Sequence, residues 1–142
     1  MALLVRLLHV LAAALLSGGA AVVWLQFRTA TGESEGHLLS AATGYEWLFW
    51  GALGLVAMTG VGNLGSLAPG VPLPDTRWGT VLAGKFVLLL AFVLLSVVRS
   101  LVVIRARSVD SADATHTLQT AYGVTTLSLL ALLSLGEVLA HG

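Results

Sequence analysis

Four long apolar stretches, separated by short polar connections, leave this 142-residue chain few ways to fold. A helix that crosses a bilayer needs about 20 mostly apolar residues. The stretches Ala2–Phe27, Tyr45–Leu67, Gly79–Ile104 and Thr117–Ala140 each meet that length. Hydrophobic residues make up 57% of the chain and charged residues 10%. A soluble domain carries charge on roughly a quarter of its residues. This chain has too few polar groups to cover a surface in water, and lipid removes the need. The expected fold is an all-α integral membrane protein, with four transmembrane helices in an antiparallel up-down bundle. Residues 1–142 form one such domain, with no internal repeat.

The connections agree with that division. Arg28–Gly44 holds Glu33, Glu35 and His37, and Arg105–His116 holds two arginines and two aspartates. Between Leu67 and Trp78 lie all three prolines, in Pro69-Gly-Val-Pro-Leu-Pro74. Proline removes a backbone donor and fixes φ, so this link is stiff and non-helical. Trp24, Trp47 and Trp50 mark one membrane surface and Trp78 the other, as amphipathic rings prefer the headgroup layer. A cleaved signal peptide is the competing reading of the first stretch, with Arg6 before an apolar run that ends at Ser17-Gly-Gly-Ala. The run extends beyond the 7–15 residues usual for such a segment, which favours a retained span.

Both termini and the proline-rich link share one surface, called side A here. Side B has Arg28, Arg105 and Arg107, with Arg99 close by. The excess of cations puts side B in the cytoplasm and the termini outside. Net formal charge is zero and neither tail is charged, so nucleic acid is not an expected partner. With no cysteine and only two methionines, thiolate metal sites, iron–sulfur clusters and methionine-rich copper relays are excluded.

Lys85 lies near the start of the third stretch, just before Phe86 and a long aliphatic run. An ammonium in hydrocarbon costs at least about 2.5–3.5 kcal/mol, so it needs neighbours. Helical rise supplies candidates. His9, Asn63, Lys85 and Glu137 each lie about 25–30 Å from the side-B end of their spans, counting about 1.5 Å per residue. One polar side chain from each helix thus reaches a common level near side A. Arg6 precedes His9 by one turn, and His141 follows Glu137 by one. Each has a plain reading: Lys85 can snorkel to the headgroups, Glu137 can pair with it, and His9 can bond a backbone carbonyl. Taken together they are expected to face the bundle interior or a pathway through it. Imidazole ligates haem iron and copper, and Arg6 and Lys85 suit haem propionates. Glycines crowd the second stretch, at 51, 54, 60, 62 and 65. They serve close helix packing or leave room for a flat cofactor, and by themselves do not decide between the two.

Several motifs resemble the copper resistance D (CopD) module. Arg6-Leu-Leu-His9 continuing to Ser17-Gly-Gly resembles its first helix, and Thr59-Gly-Val-Gly-Asn63 its second. Trp78-Gly-Thr-Val-Leu-Ala-Gly-Lys85-Phe resembles its third. Val98-Arg99-Ser100 stands where that family often has an Asn-Arg pair. His9 and Lys85 also stand where HemJ-type haem b proteins carry a histidine and a lysine. These resemblances imply a bacterial inner-membrane bundle binding haem b for electron transfer, linked to a quinone and to other membrane or redox subunits. His9 would be an axial ligand, with His141 or Lys85 as the second. Arg6 and Lys85 would meet propionates, and Asn63 and Glu137 would orient the ligands. The implied role is electron transfer or metal handling rather than stand-alone catalysis. Two alternatives stand beside it: copper ion handling or transport, with His9 and His141 as metal ligands on a path shared with Glu137, and a cofactor-free membrane anchor.

Overall fold

The computed structural model describes residues 2–30, 35–67, 76–107 and 112–141, with the side chains of 2, 35, 63–67, 77, 78, 112, 113 and 139–141 outside that description. Four helices account for nearly all of it: α1 (Ala2–Thr29), α2 (Glu35–Leu67), α3 (Arg77–Ala106) and α4 (Ala112–His141). All four extend past the expected spans. The largest difference is at α2, which starts ten residues before Tyr45. Apolar windows mark where a helix enters hydrocarbon. They are blind to polar turns that continue the same hydrogen-bond ladder, and Glu35–Gly44 supplies such turns. At the start of α3, Thr76 caps the helix by accepting a hydrogen bond from the Gly79 backbone N–H at 3.1 Å.

The helices form a ring in which α1 packs along α2 and α4, α3 packs along α4, and α2 meets α3 over a shorter stretch. Adjacent helices run antiparallel. Contacts that step forward on α1, from His9 to Leu16, step backward on α2, from Thr59 to Tyr45. α1, α3 and α4 are each long and apolar enough to cross a membrane. α2 is 33 residues long and carries Glu46, two tryptophans and several glycines among its apolar side chains. The outer surface is apolar: Leu15 and Val22 on α1, Trp47 and Met58 on α2, Leu90 and Leu94 on α3, and Leu127 on α4 are all exposed. A soluble monomer rarely shows so much apolar surface, whereas lipid matches it.

Burial along the inward stripes divides the bundle in two. Toward side B the stripes are closed: Leu16, Ala20 and Phe27 on α1, Ala42, Tyr45 and Phe49 on α2, Phe92, Ser96 and Arg99 on α3, and Leu118, Tyr122 and Leu129 on α4 are buried. Toward side A each stripe becomes half-buried, at Val5 and His9, at Val56 and Gly60, at Lys85 and Leu89, and at Leu132 and Gly136. Rings fill the closed half. Phe27 stacks on Tyr122 at 5.8 Å between centroids, and Tyr122, Tyr45, Phe49 and Phe92 continue the chain at similar spacing. The Tyr45 hydroxyl donates to the Leu16 carbonyl at 2.7 Å, which locks α2 onto α1.

Two glycines let these rings seat. A Cβ at Gly19 would lie 2.5 Å from the Tyr45 ring, and one at Gly123 would lie 2.9 Å from the Trp24 indole nitrogen. Tyr45 is pinned by its hydrogen bond and cannot retreat. Gly19→Ala is therefore expected to destabilise the bundle by about 1–3 kcal/mol, the usual cost of over-filling a packed interior. Gly54→Ala, which meets open space, is expected to leave stability unchanged or slightly raised. Unfolding in detergent followed by circular dichroism checks the contrast.

Candidate functional site

Polar side chains gather at two levels. In the closed half, Arg99 from α3 is almost wholly enclosed, its side chain 1% exposed. Its Nε and Nη2 donate to the two carboxylate oxygens of Glu46 from α2, at 2.8 and 3.1 Å. Its Nη1 donates to the Thr125 hydroxyl of α4 at 2.7 Å. Tyr122 donates to Glu46 Oε1 at 2.8 Å and Ser100 to Oε2 at 2.5 Å. Trp50 in turn donates its indole N–H to Ser100 at 3.0 Å. The guanidinium carbon also lies 4.3 Å from the Phe49 ring centroid, with Tyr122 at 5.0 Å and Tyr45 at 5.7 Å.

The chemistry of this cluster is closed. A carboxylate offers about four acceptor positions, and Glu46 receives four donors. Arg99 is fixed by a two-point fork and by aromatic faces, both of which favour guanidinium over ammonium. No acceptor is left for a ligand. The cluster sets the rotation and register of α2, α3 and α4 relative to one another. Arg99 thus corrects the expectation that it lies with the side-B surface cations, and Glu46 did not figure among the sequence candidates at all. With the second span starting at Tyr45, Glu46 read as a boundary residue. The available signal was that Glu46 and Arg99 each lie inside an apolar stretch and carry opposite charge.

Arg99→Met leaves the Glu46 carboxylate facing no cation in the interior. It is expected to destabilise the protein by about 3–5 kcal/mol, as removal of one partner of a buried pair does. Adding Glu46→Gln, which keeps acceptors and donors without the charge, is expected to restore most of the loss. A double-mutant cycle read by unfolding in detergent tests it. Additive losses would mean that the two side chains are not coupled.

The second level is the half-open end, where most of the sequence candidates lie. His9 turns inward to α2, with Nδ1 2.8 Å from the Thr59 hydroxyl. Thr59 has one proton, and it points to the Leu55 carbonyl at 2.6 Å. With the Thr59 proton on the Leu55 carbonyl, the Thr59 oxygen accepts from His9 Nδ1–H and the ring's lone pair is on Nε2. Lys85 is half-buried and lies against Gly136 of α4. His9 and Lys85 thus each turn to a neighbouring helix at this end of the bundle.

The other candidates divide. Arg6 and Glu137 are exposed on their helices, and Glu137 has an interaction with a neighbour. The side chains of Asn63 and His141 lie outside the described residues. His37 and His116 are exposed, as expected of residues near side B, although both belong to helices. Thr59, which orients His9, was visible in sequence only as part of a motif. Among the described residues, no three histidine or carboxylate side chains come together as a metal-ligand group. No family model, curated protein or solved structure matches the chain.

Proposed function

We propose that this chain is a CopD-like integral membrane protein, with all four helices crossing the bilayer, that binds haem b at its half-open end and passes electrons in the membrane. One observation carries the reading: an inward-turned histidine whose Nδ1 is held by Thr59, with a half-buried lysine on α3 at the same end of the bundle. A histidine ligand commonly has its second ring nitrogen held in this way, which fixes the tautomer and the direction of the lone pair. The residues present fit the group. His9 would supply an imidazole donor and the Lys85 ammonium would suit a propionate.

In this reading the iron supplies one-electron redox chemistry, and the chain supplies position and environment. His9, held by Thr59, would ligate the iron; His141 or Lys85 would be the second ligand, and Arg6 or Lys85 would neutralise the acid groups. Asn63 and Glu137 orient the ligands. Leu89 and Leu132 keep the surroundings apolar. A quinone in the bilayer and other membrane or redox subunits are the electron partners. The bacterial inner membrane, with termini outside, is the setting that the CopD resemblance and the side-B cations support.

Purified protein in detergent is expected to show a Soret band and a sharp reduced α-band, both lost in His9→Ala. Thr59→Val keeps the imidazole but frees its orientation, and is expected to weaken haem affinity by about 10–100-fold. Methyl-esterified haemin is expected to bind more weakly than haemin to the unaltered chain, and equally to Lys85→Met. A colourless protein with stoichiometric copper would replace this reading with copper handling. A protein that takes up neither would leave a membrane anchor.

A further inference from the structure

Trp47 is 81% exposed on the outer face of α2. Trp50, three residues on, gives its indole N–H to Ser100 at 3.0 Å. Trp47 has no hydrogen-bond partner among the described residues. Its depth makes this costly. Trp47 and Leu15 line the same end of a groove between α1 and α2, and Leu15 is near the midpoint of the apolar stretch Leu3–Thr29. Trp47 thus lies well below the membrane surface at which the sequence placed it. No water is present at that level to accept an N–H, and an indole taken out of water ordinarily finds a partner. The groove has a volume of about 500 Å³ and is lined by Leu8, Leu11 and Leu15 from α1 and by Leu48, Gly51 and Leu55 from α2, with Trp47 at its side-B end. A side chain at Gly51 would meet open space.

We infer that this face of α1 and α2 binds a second copy of the chain, each Trp47 filling the other's groove. The knob and the hollow lie side by side at one depth. A two-fold axis along the membrane normal preserves depth and so brings each knob to the other's hollow, as an isologous contact requires. No charged side chain lines the groove, so nothing in it selects a partner of opposite charge. An acyl chain would fill the hollow but offers the indole no acceptor at this level. A second copy offers one: the backbone around Gly51 is bare, and a carbonyl there keeps a lone pair beyond its helical bond. Small residues also let helices approach closely in lipid, where dispersion contacts hold them. The area is sufficient. A stable interface takes roughly 800 Å² from each partner, of which Trp47 supplies about 150–250 Å². The exposed leucines of the groove, with Val22 and Met58 beside them, make up the remainder. The contact needs α1 and α2 to cross the bilayer, and it needs no cofactor.

The chain has no cysteine, so a single introduced one reports proximity. The full-length Leu48→Cys protein in phosphatidylcholine liposomes is expected to give a disulfide-linked dimer on oxidation. Val87→Cys, exposed on α3, is expected to give none. Energy transfer between donor- and acceptor-labelled copies, attached at Val87→Cys and diluted with lipid, then reads the dissociation constant. Trp47→Ala and Gly51→Leu are each expected to weaken self-association at least about 10-fold, the effect of losing an interface anchor or filling its pocket. Leu90→Ala, exposed on α3, is expected to leave it unchanged. Positions 47 and 51 are both on the surface, so unfolding midpoints are expected to match the unaltered chain; if Gly51→Leu fails to fold, Trp47→Ala carries the test. A chain that stays monomeric in liposomes would overturn the inference, and so would a dimer that forms equally well without Trp47. Monomers whose Trp47 emission, taken as the difference from Trp47→Phe, is quenched by brominated acyl chains would overturn it in favour of lipid in the groove.

Discussion

A guanidinium that cannot lose its proton is enclosed at the centre of this bundle, and its neighbours are arranged to make that tolerable. Arg99 is met by a carboxylate from α2, a hydroxyl from α4 and three aromatic faces. Each contact demands a particular rotation of the helix that provides it. Apolar packing alone would allow α2, α3 and α4 to slide or turn with modest cost, because one leucine resembles another. A fork of two hydrogen bonds does not slide. The pair is thus weak evidence for net stability and a good candidate for the source of a single arrangement.

The division into two halves follows from that placement. Among the described residues, the hydrogen bonds and ring contacts that join α2 to α3 lie between Tyr45 and Trp50 on one helix and between Phe92 and Ser100 on the other. Toward side A the inward stripes are only half-buried. One end holds the structure and leaves the other free to be a site. Thr59 illustrates the difference in role. Its hydroxyl stays with its own helix through Leu55 while its remaining lone pair aims a histidine from α1.

Legibility from sequence varied with how local the signal was. Helix positions were readable, because length and hydropathy act within one stretch. The depth of His9 and Lys85 along their own helices could be counted, since rise per residue is nearly constant, but not what each would meet. Helix ends were not, since polar turns such as Glu35–Gly44 look like a loop when judged by composition. Glu46 and Arg99 were missed for a related reason. A charge near the edge of an apolar window reads as a surface residue unless its partner is known, and here the partners are 53 residues apart. The glycines were undecided because their meaning depends on what lies opposite: a ring at Gly19 and Gly123, a polar side chain at Gly60 and Gly136.

The chain by itself determined that it would be helical, apolar on its outside and polar at a few counted depths. Those properties come from the backbone's own hydrogen bonds and from the transfer of side chains out of water, and neither needs a distant partner. Only the tertiary structure decided which polar groups meet. It paired Arg99 with Glu46, turned His9 to Thr59, and laid Lys85 against Gly136. Rotation of each helix about its axis has no cost within that helix, so the choice falls to contacts between residues far apart in the chain.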